Sequence, residues 1–414
     1  MRAATQIQPP SHVPAGRVYA VDIFGIDPVA DEQQMSIKLL QRSAPGALFW
    51  TPHNGGHWVA ARSDLVERVL GDADLFSSRY VTVPKFMNPD PPIGPLQLDP
   101  PAHQAYRALI APAMSARASL ALGEHARSVA RQVVSCLRPQ GRCEFMQDFA
   151  RQLPIACFLE MCGLPGADHA RLADIARLQL DTTDRNGQAT GFRLMGEYLM
   201  EQIAARRKDP RDDLISRLAH ARVDGRPLPD YKQFGLVNML FIAGLDTVSS
   251  SIGTAARFLA QHPMLRRRLR AEPNLIPRMV EELLRRFPMF TAARVVRTDC
   301  ELDGVLLKSG DMIVAPTALC GLDEERFDAP ERVDLTRRGV HHATFGVGVH
   351  RCPGATLARA ELRIFIETWL EQIPDFSLDP GAPVRLGPGP VASVLSLPLV
   401  WTPVQEPARD TVST

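Results

Sequence analysis

Apolar positions recur at the spacing of one helix face through most of the middle of the chain. Between about residues 102 and 222 that pattern is broken by Gly141, by Gly163-Leu164-Pro165-Gly166 and by the polar stretch 184–188. It therefore predicts several helices joined by short turns. A longer helix is predicted over 231–261, with Pro263 just past its end, and another over 275–286. Strand-like pieces are short. Ala47-Leu48-Phe49-Trp50 and His57-Trp58-Val59-Ala60 flank the turn-rich 51–56 and read as a β-hairpin. Ser63 reads as the N-cap of a helix over 64–70 that Gly71 stops. Further strands are expected at 294–297, 302–307 and 312–315, a closing helix at 355–372, and a last strand at 393–401. The expectation is a mainly α fold with a minor β region assembled from distant segments.

The sequence has 414 residues, 45% hydrophobic and 22% charged, which is ample material for a large core. No internal repeat or flexible linker divides it. One large helical domain over 1–414 is expected, with an irregular segment at 1–26 and a tail at 402–414. A formal net charge of +1 offers no field to draw nucleic acid or an anionic membrane. No signal-peptide core opens the sequence, and no run of about 18 apolar residues occurs. The seven cysteines (Cys136, Cys143, Cys157, Cys162, Cys300, Cys320, Cys352) are odd in number and scattered, without a CxxC pair. Reduced thiols in a soluble cytoplasmic protein are expected, not a disulfide framework or a zinc site.

One cysteine stands apart. Phe345-Gly346-Val347-Gly348-Val349-His350-Arg351-Cys352-Pro353-Gly354 is a glycine-rich loop that runs straight into a helical sequence. Glycines allow close backbone approach, and N–H groups at a helix start favour a thiolate. A lone cysteine is more often a buried structural residue, but this spacing argues against that. The loop resembles the haem-ligand loop of the cytochrome P-450 family, in which a Cys thiolate holds the iron. The resemblance implies haem b between the long central helix and this loop. Cys352 would be the iron ligand, and Phe345, Gly346 and Gly354 would shape the loop against the macrocycle.

Other motifs gain meaning beside that loop. Ala243-Gly244-Leu245-Asp246-Thr247 puts an acid and a hydroxyl together in an apolar helix, and a mid-helix Thr can bond the carbonyl four residues back. The pair resembles the family's oxygen-binding groove, where Thr247 would hold a distal hydrogen-bond network and Asp246 would relay protons from solvent. Glu282 and Arg285 share a helix face at i,i+3, ordinarily a surface pair of little worth. Their setting resembles the family's structural Glu-x-x-Arg motif, which implies Arg332 as the third partner. The haem propionates need cationic or hydrogen-bonding partners. His103, Arg107, Arg294 and His350 stand at the matching positions.

Among bacterial members the chain is most similar to the camphor 5-monooxygenase group, through Glu281–Phe287, Gly244–Val248, Ile373-Pro374-Asp375-Phe376-Ser377 and Leu397–Trp401. It departs from that group in lacking a Tyr between Tyr80 and Tyr106, where camphor hydroxylases bond the ketone. Selectivity for camphor is therefore not expected. By position, the pocket walls would be Phe86, Ile93, Leu96, Met239, Ile242, Phe290, Ala292 and Val391. The resemblance implies a class I monooxygenase hydroxylating a small apolar terpenoid or norisoprenoid. Electrons would come from a 2Fe–2S or other ferredoxin, itself reduced by a separate NAD(P)H-dependent flavoprotein. The ferredoxin would dock near Cys352 and Arg107, and Gln104 stands where the camphor group has a docking Arg. A monomer is expected. A peroxygenase using hydrogen peroxide is the alternative, against which the Asp246-Thr247 pair argues. A non-catalytic haem sensor is a further alternative, and the same pair argues against it.

Overall fold

Asp230–Gln261 is the longest helix of the computed structural model, which describes residues 7–25, 35–180, 184–387 and 389–403. Residues 1–6 and 26 of the expected N-terminal segment, and 404–414 of the expected tail, lie outside the described residues. The long helix starts after extended Pro229 and ends at His262. Pro263, expected merely to follow it, is the first residue of the next helix, Pro263–Ala271, where its missing N–H costs nothing. Two separate cores grip the long helix. Leu236, Val237, Leu240, Phe241 and Leu245 pack with Phe158, Leu172, Met195, Tyr198 and Ile203. Val248, Ile252, Ala255, Ala256 and Leu259 pack instead with Phe145, Phe149, Leu362, Phe365 and Trp369. The changeover places Asp246 and Thr247 at the seam between the two cores.

The long helix is apolar enough to cross a membrane, with a mean hydropathy of 1.4 over its best window, although no uninterrupted apolar run of that length was expected. More than half of that window, 56%, is buried inside the molecule, as in a core helix. The closing helix is Ala355–Gln372, as its pattern predicts, and it lies along Ala116–Leu137, where Gly123 faces Ala360. The polar stretch 184–188 marks a break, as its pattern predicts: helix His169–Leu180 ends before it and a new helix opens within it. Asp184 caps Arg185–Lys208 by accepting from the Gly187 N–H at 2.9 Å.

A five-stranded sheet flanks the helices. The predicted hairpin forms between Leu48–Thr51 and His57–Ala60. Met312–Pro316 runs parallel to the second of these strands and antiparallel to Thr291–Val296, and Phe76–Ser77 closes the edge. Alternation divides its faces: Trp50, Trp58, Ile313 and Ala292 pack on one side, and Phe49, Val59, Val314 and Ala293 on the other. Three expectations are corrected. Ser63 does not cap but lies inside helix Ser63–Gly71, its hydroxyl bonded to the Asp323 carboxylate. The strand at 302–307 is a hairpin, Cys300–Leu302 against Val305–Leu307, turned by Asp303 and Gly304 at φ 51° and 70°. The strand at 393–401 splits. Ser393–Ser396 pairs with Arg385–Gly387, whereas Pro398–Trp401 lies between Phe376–Leu378 and Arg142–Glu144. Pro398 has no N–H to continue one ladder, and the Leu397 N–H turns away to the Glu144 carboxylate at 2.7 Å.

The closing helix also buries an acid. Glu361 is almost wholly enclosed, bonds only the Cys157 thiol, and keeps Oε1 without a partner among the described residues. Burial pushes its pKa up to about 8. The unfolded chain ionises this group near its ordinary value of 4.5. Its contribution to stability is therefore present below that pH and is lost as pH rises through the folded value. Between the two values, each rise of one in pH removes ~1.4 kcal/mol. Glu361→Gln is expected to gain thermal stability over wild type at pH 8 and to lose that advantage at pH 4.5. Parallel unfolding curves at both pH values would contradict this.

Candidate active site

The cysteine loop is held by its backbone. Gly346 and Gly348 adopt φ of 71° and 70°, and a Cβ on Gly348 would meet the Gly71 backbone at 2.9 Å. The Cys352 N–H donates to the Phe345 carbonyl at 2.8 Å, and the Gly346 N–H to that of Ala343 at 2.8 Å. At Gly354 a Cβ would approach only to 3.9 Å from the Cys352 sulfur, and the Gly354 N–H is directed at that sulfur. Cys352 is exposed, yet desolvation by the atoms packed around its sulfur raises its pKa, and the Gly354 N–H, Arg107, Arg351 and Arg359 all oppose the rise. These are the surroundings of a sulfur that is neutral alone and a thiolate once it has a cationic partner. Phe345 lies under the Arg359 guanidinium, 4.5 Å away, and Arg359 is tied to Glu281 at 2.6 and 3.1 Å.

Four basic residues predicted to share a role come together beside this loop. The His103 and His350 rings stand 4.4 Å apart. Burial lowers the His350 pKa to about 3, helped by Arg294, His103 and Arg107. Arg294 is fully enclosed and falls to about 10 through burial, with Asp99 opposing. Arg107 reaches the Arg351 carbonyl at 2.6 Å. Both ring nitrogens of His103 and Nε2 of His350 are buried without a partner among the described residues. Buried polar nitrogens left without partners are costly unless a group of matching polarity meets them. The cluster and the glycine-lined thiol together fit a haem, whose propionates are such groups.

On the long helix, the Thr247 hydroxyl donates to the Ala243 carbonyl at 2.7 Å, as its position predicts. A Cβ on Gly244 would meet nothing within 4 Å, so this turn is open. Asp246 points elsewhere. Ser393 Oγ lies 3.2 and 3.3 Å from its two carboxylate oxygens. Burial raises the Asp246 pKa, and Ser393, Arg151 and Ser250 pull it down.

The Glu-x-x-Arg pair is buried and forked: Arg285 Nε donates to Glu282 Oε1 at 2.8 Å and Nη2 to Oε2 at 3.0 Å. The expected third partner is corrected. Arg332 offers only its carbonyl, to Arg285 Nη2 at 2.7 Å, and its side chain is exposed. The second guanidinium on Glu282 is that of Arg337, at 3.3 Å.

The expected walls are placed unevenly. Met239 and Ile242 line the long helix half-buried, and Ile93 stands 4.0 Å from where a Cβ on Gly235 would be. Phe290 and Val391 form a single β-bridge, and Ala292 is buried on the same strand face as Arg294. Leu96 is partly exposed. Phe86 is corrected: 85% exposed, it stands in solvent and forms no wall. Asn88 fixes it there by closing residues 81–88 on themselves. Its Oδ1 accepts from the Val81 and Thr82 N–H groups and its Nδ2 donates to the Thr82 and Lys85 carbonyls. Ser393, Arg151 and Arg337 were not foreseen. Nothing in their local sequence marks them, because each meets its partner only through the fold.

Comparison with known proteins gives a consistent result. The family model "Cytochrome P450" matches residues 188–386. A Sinorhizobium fredii protein named "Probable cytochrome P450 127A1" is 32% identical over 95% of this chain and 96% of its own length. The mycinamicin IV hydroxylase/epoxidase of Micromonospora griseorubida is 32% identical over 87% of this chain and 94% of its own. The crystal structure of CYP101J2 superposes with a TM-score of 0.86 at 38% identity, covering 96% of this chain and all of that one. That of cytochrome P450 CYP101C1 gives 0.84 at 37% identity, covering 95% and 100%.

Proposed function

Because this chain belongs to the cytochrome P450 family, a P450 monooxygenase with a thiolate-ligated haem, we propose that it hydroxylates a small apolar terpenoid or norisoprenoid. The overall reaction is RH + O2 + 2e⁻ + 2H⁺ → ROH + H2O. The haem, when bound, supplies dioxygen activation at its iron. Cys352 would ligate that iron, its sulfur steadied by the Gly354 N–H. Arg294, His103, Arg107 and His350 would hold the propionates. Thr247 keeps a hydroxyl beside the open turn at Gly244, and Asp246 carries protons inward from the seam between the two cores. The electrons would come from a ferredoxin served by a separate NAD(P)H-dependent flavoprotein.

One observation carries the substrate class. Between Phe86 and Gln97 the only side chains able to donate a hydrogen bond are Asn88 and Gln97. Asn88 spends both N–H groups as above, and Gln97, itself buried, gives one N–H to the Arg79 carbonyl at 3.1 Å. No exposed side-chain donor stands free there for a ketone, and Ile93, Met239, Ile242, Phe290 and Val391 offer apolar contact alone. Recognition then rests on burial, at ~25 cal/mol per Å2. Bornane, the hydrocarbon with the skeleton of camphor, is expected to bind more tightly than camphor when both are titrated against the haem spin state. Tighter binding of camphor would overturn the reading.

A further inference from the structure

We infer that Ser393 is a positioning residue for Asp246, holding the carboxyl in place through a hydroxyl that bridges both of its oxygens. The inference rests on the reading of Asp246 as a proton relay. Ser393 Oγ is almost equidistant from Oδ1 and Oδ2, at 3.2 and 3.3 Å. One hydroxyl proton so placed fixes the carboxyl rotor while leaving either oxygen free to take up a proton. The strand that carries Ser393 is itself latched to the long helix. Ser250, one turn beyond Asp246, accepts the Val394 N–H at 3.2 Å. Gly253, a further turn on, lets Val394 approach so closely that a Cβ there would lie 3.2 Å from it. Asp246, Ser250 and Gly253 share one helix face, at i, i+4 and i+7. Ser393 is thus held in register with the acid by contacts on either side of it.

The other groups facing Asp246 do not supply such a hold. Arg151, just before helix Gln152–Cys162, attracts the carboxylate electrostatically but makes no direct bond to it, and its Nε is buried without a partner among the described residues. Glu144 also attracts Arg151, and Arg177 from helix His169–Leu180 repels it. Ser250 contributes a hydroxyl from the same helix and cannot tie the helix to another element by that bond. Among the described residues, Ser393 alone links the acid to a separate strand. Val391, two residues before Ser393 and outside its strand, is bridged to Phe290, so the test must separate relay from pocket.

The test uses haem-loaded enzyme with a ferredoxin, its reductase and saturating bornane, in wild type, Ser393→Ala, Ser393→Thr, Asp246→Asn and the double variant Asp246→Asn/Ser393→Ala. Burial raises the Asp246 pKa and the Ser393 hydroxyl lowers it, so removing the hydroxyl raises it further. Ser393→Ala is expected to move the pH profile of kcat upward by about half to one pH unit. It should also raise peroxide released per NAD(P)H several-fold. Ser393→Thr restores both values. In the Asp246→Asn background, Ser393→Ala has no additional effect. The bornane Kd from the spin-state titration stays within about twofold of wild type, because the pocket is untouched. If Asp246→Asn slows turnover but Ser393→Ala leaves the pH profile where it was, the inference about Ser393 fails alone. An equal effect of Ser393→Ala with or without Asp246 also overturns it. If Asp246→Asn leaves turnover unchanged, the relay reading of Asp246 fails, and the inference with it.

Discussion

Cys352→Ala is expected to abolish substrate oxidation while the fold stands. The sulfur belongs to neither core, and the loop is closed by backbone bonds from Cys352 to Phe345 and from Gly346 to Ala343 that any residue can make. Gly346 and Gly348 retain the backbone angles that shape it. What disappears is the one soft, ionisable ligand in the loop. Product formation is expected to fall by ~10³-fold or more, equivalent to ~4 kcal/mol of barrier. The haem-free proteins should unfold within a few degrees of each other. Product formation at wild-type rate in the variant would remove Cys352 from the site.

Arg285→Ala should have the largest effect on stability. Its guanidinium is fully buried and every face is engaged: the Glu282 fork, the Gly321 and Pro330 carbonyls through Nη1, and the Arg332 carbonyl through Nη2. Truncation leaves the buried Gly321 and Pro330 carbonyls short of a donor. Glu282 is left with the Asp334 N–H and Arg337. Breaking a buried pair by removing one partner costs ~3–5 kcal/mol, a large share of the ~5–15 kcal/mol that holds a domain. Arg285→Lys restores a charge but not the fork, so it should recover only part of the loss. The helix has no slack to re-form elsewhere, because a Cβ on Gly321 would already lie 1.9 Å from the Arg285 carbonyl. The measurement is denaturant unfolding. A destabilisation by Arg285→Ala of less than ~1 kcal/mol would mean that the pair is dispensable.

Local signals were legible in the sequence and long-range ones were not. The closing helix is bounded where its pattern says, because Gly354 begins it and its apolar face meets a core along its whole length. Thr247 bonds Ala243 as a helical Thr does, whatever surrounds it. Ser393 lies 147 residues from Asp246 and could be found only by folding the chain. The same holds for Arg337. Spacing offered a nearby arginine at 332 but could not tell a contribution by its carbonyl from one by its guanidinium. Phe86 was placed in the pocket on position, yet the Asn88 amide turns its loop outward. One miss was avoidable. Asp303-Gly304 and Asp224-Gly225 both carry the Asp-Gly signature of a two-residue hairpin, and both turn hairpins with positive φ. Helical and strand periodicity on either side concealed them.

The central claim is that Cys352 supplies the thiolate of a haem iron. The CO-bound ferrous spectra of wild type and Cys352→His test it most directly, since histidine keeps a ligand in the loop but not a sulfur. Wild type is expected to show the red-shifted Soret band of a thiolate-ligated haem, and Cys352→His to retain haem while losing that band. A thiolate band that survives in Cys352→His, or that is missing from haem-loaded wild type, would contradict the account.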